Sequence, residues 1–171
     1  MKLKIWFISI LFMLMISLSA SAEYIVGDVV NLRKKPSLDS KIIDMLNFGD
    51  EVSIIKTKGD WYKVQTDDHI GFVHKDYVKD TLTELGEWHI TAYTWTGSPC
   101  ANGNYPTSYY TIACNSLPFG TKVYIQDIGV RVVEDRGPDY LGASWCDVYM
   151  DSVSECIAWG SQYKKVYLLE E

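Results

Sequence analysis

Val130-Arg131-Val132-Val133-Glu134 runs straight into Asp135-Arg136-Gly137-Pro138. The valine-rich half reads as a strand. Gly-Pro then turns the chain, because proline fixes φ and removes a backbone donor. A carboxylate at a strand end, beside a rigid turn, is well placed to face a cleft. Downstream, Trp145-Cys146-Asp147-Val148-Tyr149-Met150 alternates cleanly. Cys146, Val148 and Met150 take one face, expected to be the core, while Trp145, Asp147 and Tyr149 take the other. That places a carboxylate between two aromatic rings, a setting suited to a sugar. Rings stack on hexose faces and the acid meets the glycosidic oxygen.

Around these two strands lie Trp88 to Tyr93, Tyr110 to Ala113, Lys122 to Ile125 and Lys165 to Leu168. One helix is signalled by a capping box, Ser152 with Glu155, by the apolar run Cys156 to Trp159, and by Gly160 as its stop. Six strands and one helix predict a closed β-barrel over residues 88–171.

Residues 23–79 predict a second, smaller barrel. Its strands are short and punctuated by turn residues every 8 to 12 positions, as at Lys58-Gly59-Asp60 and Asp67-Asp68. Trp61 and Tyr62 are adjacent, so one points inward and one outward. Residues 80–87 are polar and short and read as a linker.

Residues 1–22 read as a signal peptide. Lys2 and Lys4 precede an apolar run from Ile5 to Ile16, and Ala20-Ser21-Ala22 has the small-residue cleavage pattern. The run is shorter than the roughly 20 residues of a spanning helix. The expectation is a secreted, extracellular, monomeric protein with no membrane association after cleavage.

The 171 residues are 47% hydrophobic and 22% charged, a globular balance that excludes a disordered chain. The net charge is −6, and removing the signal, with two lysines and no acids, takes it to −8. That excludes nucleic acid as the main partner, since phosphate affinity comes from Lys and Arg. The rings are 12 Tyr and 6 Trp against 5 Phe, which favours stacking surfaces with polar edges.

The three histidines are not spaced as metal ligands, so neither a metal nor another cofactor is expected. No His follows any cysteine, which argues against a Cys-then-His peptidase. In an exported chain four cysteines permit two disulfides. Cys100 and Cys114 flank a loop rich in Gly, Pro, Asn and Ser and are the favoured pair. Cys146 and Cys156 either pair or remain buried thiols. From spacing alone, Asp135 and Asp147 are either site carboxylates or structural groups that cap turns or pair with Arg131 and Arg136.

Two resemblances sharpen this. The order Asn31-Leu32-Arg33 with Pro36-Ser37, then Phe48-Gly49-Asp50 with Val52, then Gly59 to Val64, then Gly71-Phe72-Val73 resembles a bacterial SH3-like domain. That implies a wall-targeting module that binds stem peptides, with Trp61 as a contact.

Residues 89–169 resemble the 3D domain, a double-psi β-barrel related to membrane-bound lytic transglycosylases and to the rare lipoprotein A barrel. The matching pieces are Ile90 to Thr94, Leu117 to Ile125, Val133 to Pro138, Asp147 to Tyr149, the short helix and the last strand. The fold class implied is mainly β, an SH3-like small barrel followed by a six-stranded double-psi β-barrel with one short helix. The activity implied is cleavage of the β-1,4 bond between N-acetylmuramic acid and N-acetylglucosamine in peptidoglycan glycan strands. Asp147 matches the general acid/base and Asp135 the second aspartate. Asn115 stands where the family has its first. Tyr93, Trp95, Trp145, Tyr149 and Asn115 become substrate-binding candidates. A hydrolase would want a second carboxylate, which Asp135 or Glu134 supplies. Because Asn cannot ionise, the alternative is a non-catalytic peptidoglycan-binding or envelope-structural protein.

Overall fold

The computed structural model describes residues 22–169. The signal expected over residues 1–22 lies outside them apart from Ala22. Among the described residues no helix is long and apolar enough to cross a membrane.

The N-terminal unit contains β1 (Glu23–Ile25), β2 (Val29–Arg33), β3 (Ile42–Asn47), β4 (Glu51–Lys58), β5 (Trp61–Gln65), β6 (Ile70–His74) and β7 (Val78–Lys79). They form one seven-stranded sheet in the order β3-β2-β6-β5-β4-β1-β7. Alternation builds its core. Val30 and Leu32 point inward from β2, Val73 from β6 and Val64 from β5, meeting Ile25, Leu46 and Val52. Tyr62 packs against that core, so Trp61 is the residue that faces outward.

The second unit contains β8 (Thr83–Tyr93), β9 (Thr111–Ala113), β10 (Lys122–Ile125), β11 (Gly129–Asp135), β12 (Trp145–Tyr149), the helix α1 (Val153–Trp159) and β13 (Gln162–Leu169). The strands close into a six-stranded barrel in the order β10-β11-β9-β12-β8-β13. Two of its pairs, β9 with β11 and β8 with β12, are parallel. Ile90, Ile112, Val123, Ile125, Val133, Cys146 and Val148 fill it. The helix is capped as predicted: Ser152 Oγ accepts from the Glu155 amide, and Gly160 ends it with φ of 67°.

The expected linker is a correction. Thr83–Glu87 is the first half of β8 and pairs with the far end of β13. Its polar residues lie on an exposed barrel wall, which is why the stretch resembled a linker. Only Asp80–Leu82 connects the two units.

Those units also touch directly. Phe48, in the turn between β3 and β4, stacks on Tyr124 with centroids 3.8 Å apart and planes within 7°. Its ring also meets Tyr167, the register partner of Tyr124. Beside it, Asp28 Oδ1 accepts from the Val130 amide at 2.7 Å. Gly129 permits this approach: a Cβ there would lie 2.6 Å from the Asp28 carboxylate, and its φ is +98°.

Candidate functional site

The barrel places Asp147 and Asp135 in one row. Asp147 on β12 is the register partner of Ala113 on β9, and of Thr91 on β8. Asp135 on β11 is the partner of Ala113 from the opposite side. Register partners point to the same face, so the two carboxyls flank a small methyl side chain. The pairing of β11 shifts between Val133 and Asp135. This bulge inserts one residue, turning Glu134 away and aiming Asp135 into the row.

Asp147 is the perturbed acid. Burial pushes its pKa up to about 6; the neighbouring Thr91 hydroxyl pulls it down and the charge on Asp135 adds to the rise. Its Oδ1 is buried and makes no hydrogen bond among the described residues. The Tyr93 hydroxyl is likewise buried without a full hydrogen bond. Its nearest polar neighbours are Asp135 and Cys100, and burial followed by the Asp135 charge raises its pKa. Tyr93 meets Tyr149 edge to face at 5.4 Å. Two partnerless polar atoms, one of them on the carboxyl whose pKa is raised, mark a candidate site for a polar ligand.

Asp135 is differently occupied. Its Oδ1 accepts from the amides of Ala101 at 2.9 Å and Arg136 at 2.8 Å. Glu134 is almost fully buried and accepts from Thr111 Oγ1 at 2.6 Å and Asn104 Nδ2 at 2.8 Å. The end of β11 therefore grips the Cys100–Asn104 turn, and Glu134 is a loop anchor, unavailable as a second acid. Neither arginine pairs with the acids. Arg136 donates to the Cys114 carbonyl and lies 3.7 Å over the Phe119 ring, and Arg131 donates to the Val130 carbonyl.

The other candidates divide. Trp95 is exposed and stacks on Tyr105 at 5.7 Å, forming an aromatic surface on the adjoining loop. Trp145 is a correction. It is only 4% exposed, and its ring packs so closely on Gly137 that a Cβ there would lie 2.3 Å from it. Its indole N–H is given to Thr91 Oγ1 at 2.9 Å. Its role is to support the Arg136-Gly137-Pro138 turn from below, and no open face remains for a sugar. Asn115 clasps the same turn from above: Oδ1 accepts from the Gly137 amide, and Nδ2 donates to the carbonyls of Gly137 and Pro138.

The expected Cys100–Cys114 bridge is also corrected. All four cysteines are free thiols. Cys114 lies against Cys146, while Cys100 lies beside Tyr93. The loop closes through the grip of Glu134 and Asp135, with no need of a disulfide. Thr91, Ala113 and Cys100 are the site neighbours that sequence reading missed. Only Thr91 had a signal, its place in the Ile90 to Thr94 motif.

On the N-terminal unit, Trp61 lines a groove of about 200 Å³ with His74, Tyr77, Asn31, Arg33 and Leu38. Its ring meets His74 edge to face at 5.3 Å.

Residues 28–79 match the family of bacterial SH3 domains. The first unit is a bacterial SH3 domain. Its match begins within one residue of β2 and ends with β7. A further likeness is to bacteriocin BCN5 of Clostridium perfringens, 27% identical over 95 residues, which is 53% of this chain and 11% of that protein. The chain therefore spans only a small part of that relative. Beside the SH3 domain, the six-stranded barrel carries the aspartate row.

Proposed function

We propose that this protein is an exported enzyme that cleaves peptidoglycan glycan strands, held to the wall by its SH3 domain. The observation that carries the reading is Asp147: a half-buried carboxyl with its pKa raised to about 6, a buried and partnerless Oδ1, and a second acid in the same row. Further support comes from the barrel's paired parallel strands, in keeping with a double-psi barrel of the 3D type, and from the SH3 domain, whose family indicates cell-wall binding. The likeness to a bacteriocin is consistent with cell-wall targeting.

The chemistry needs one acid. Neutral Asp147 gives its proton to the glycosidic oxygen as the C1–O4 bond breaks. Its carboxylate then takes the proton of the muramyl 6-hydroxyl while O6 bonds to C1, closing a 1,6-anhydro ring. Water is not consumed, and Asp147 ends as it began. General acid–base catalysis of this kind supplies roughly 10²–10⁴-fold. Asp135, held by two amides, faces the positive charge developing at C1 and stabilises it. The exposed Trp95–Tyr105 pair offers a stacking surface for sugar rings.

The test is digestion of purified peptidoglycan by residues 23–171 and by D147N, with products read by mass spectrometry. Anhydro-muropeptides from the wild type alone support the proposal. Reducing-end products replace it with a hydrolase. Retention on the wall without release of fragments overturns the enzyme reading. A non-catalytic wall-binding protein is the second reading. It is favoured by Asn115, which stands at the family's first aspartate and spends its polar atoms on the Gly137-Pro138 turn.

A further inference from the structure

The second unit holds a cavity of about 460 Å³ between α1, the Ser108-Tyr109 loop and the Asp127-Ile128 turn. Its apolar wall is made by Ile128, Val148, Met150 and Trp159. Arg131, only 7% exposed, also lines it.

A guanidinium has five N–H donors. Among the described residues Arg131 gives one, to the Val130 carbonyl at 2.7 Å, and forms no ion pair with any carboxylate. Burial lowers its pKa from the ordinary value, but an arginine stays charged in a protein. A buried, unpaired cation is costly, and folded proteins keep one where something pairs with it.

Two more features surround the same space. Ser108 Oγ lines the cavity, is buried and makes no hydrogen bond among the described residues. Tyr109 takes φ of +61°, a strained value for a residue with a side chain. In that conformation its ring lies 5.9 Å from the guanidinium carbon of Arg131. None of the acids nearby forms an ion pair with Arg131 among the described residues: Asp28 favours the guanidinium charge through space, Asp127 pairs with Lys164 at 2.8 Å, and Glu155 accepts from Ser152 Oγ at 2.8 Å. Asp151 also lines the cavity and disfavours a second negative charge on the ligand.

We infer that this cavity binds a single free carboxylate carried on a small apolar group, with Arg131 and Ser108 as donors and the apolar wall taking the group's methyl. The choice of ligand rests on the wall-cleaving reading, since peptidoglycan offers two such carboxylates. One is the terminal carboxylate of an alanine-ended stem peptide and the other is the lactyl carboxylate of an N-acetylmuramic acid residue whose stem peptide has been removed.

The experiment is calorimetric and NMR titration of residues 23–171 with N-acetyl-D-alanyl-D-alanine, with its C-terminal amide, and with N-acetylmuramic acid. The expected result is saturable binding of at least one acid, at least 10-fold tighter than the amide, with shifts at the Arg131 side chain. Binding by the peptide acid alone assigns the stem, and by the sugar acid alone the lactyl group. R131Q should lose the preference for acid over amide, and S108A should weaken it several-fold. If R131Q fails to fold, the acid-against-amide comparison on the wild type still decides. Equal binding of acid and amide, no binding of either acid at millimolar concentration, or retained preference in folded R131Q overturns the inference. The readout is binding, so it stands or falls separately from wall cleavage.

Discussion

Asp135 and Asp147 are both register partners of Ala113, one from each side, so a single small residue separates the two acids of the site. Two strand spacings lie between them, roughly 10 Å from Cα to Cα. At that range the charge of Asp135 adds to the elevation of the Asp147 pKa without dominating it, because burial is the larger cause. Cleavage should therefore fall as pH rises through about 6, where Asp147 loses its proton. D135N removes the charge, so the Asp147 pKa should drop and the descending limb should move to lower pH. Muropeptide release measured from pH 4 to 8 tests this, and an unmoved limb would show that the acids are not coupled.

The same elevation affects stability. An acid whose folded pKa exceeds its unfolded value of about 3.9 favours folding only while protonated. The contribution is full below about pH 4 and is lost as pH rises through about 6. D147N keeps the shape and cannot ionise. It should be more stable than wild type at pH 7.5 and nearly equal to it at pH 4. The shift corresponds to at most about 3 kcal/mol, and partial exposure reduces it to roughly 1–2 kcal/mol. Thermal denaturation at the two pH values checks the crossover. A D147N protein that is less stable at pH 7.5 would contradict it.

Cys114 and Cys146 should be the pair that oxidises. The β9–β12 register sets them directly opposite each other, one step beyond Ala113 and Asp147. The Cys114 amide bonds to Asp135 on the other side, so this is a non-hydrogen-bonded position, with Cα atoms about 4.5 Å apart. That is within disulfide reach. Refolding in a glutathione redox buffer should move two electrons and two protons from these thiols to oxidised glutathione. Non-reducing peptide mapping should then show Cys114 joined to Cys146, with Cys100 free. A bridge closing this loop is worth about 3–4 kcal/mol in the chain-entropy model. Recovery of a Cys100–Cys114 peptide as the main species would defeat the prediction.

Trp61 should carry wall attachment. It lies on the outward face of β5, while Tyr62 takes the core side. W61A should lower retention on purified wall several-fold and leave soluble muropeptide cleavage unchanged. Its melting temperature should stay within about 4 °C of wild type, a difference near 1 kcal/mol. Sedimentation with insoluble peptidoglycan measures retention, and unchanged retention assigns attachment elsewhere.

Much of this architecture was legible because it is local. Period-two alternation located the barrel strands, and Ser152, Glu155 and Gly160 located the helix. The split of Trp61 from Tyr62 followed from alternation as well. What stayed hidden depends on pairing between distant segments. The bulge that exchanges Glu134 for Asp135 arises only when β11 meets β9. Cys114 faces Cys146 through the β9–β12 register, which no spacing along the chain encodes. Trp145 follows the alternation rule, yet the Gly137 turn folds over it and closes a face that alternation left open. Arg131 looked like a partner for the acids until the fold placed it in the cavity beside Tyr109 and Trp159.

The stacking of Phe48 on Tyr124, together with the Asp28 bond to the Val130 amide, joins two modules by more than their three-residue tether. The two units are then one body. A wall strand held at Trp61 would then meet the barrel at a preset offset and angle, so that the point of scission would be measured from the point of attachment. On the wall-cleaving proposal, such a protein would work as a gauge, trimming at a fixed pitch along the polymer where a flexibly tethered enzyme would cut at random.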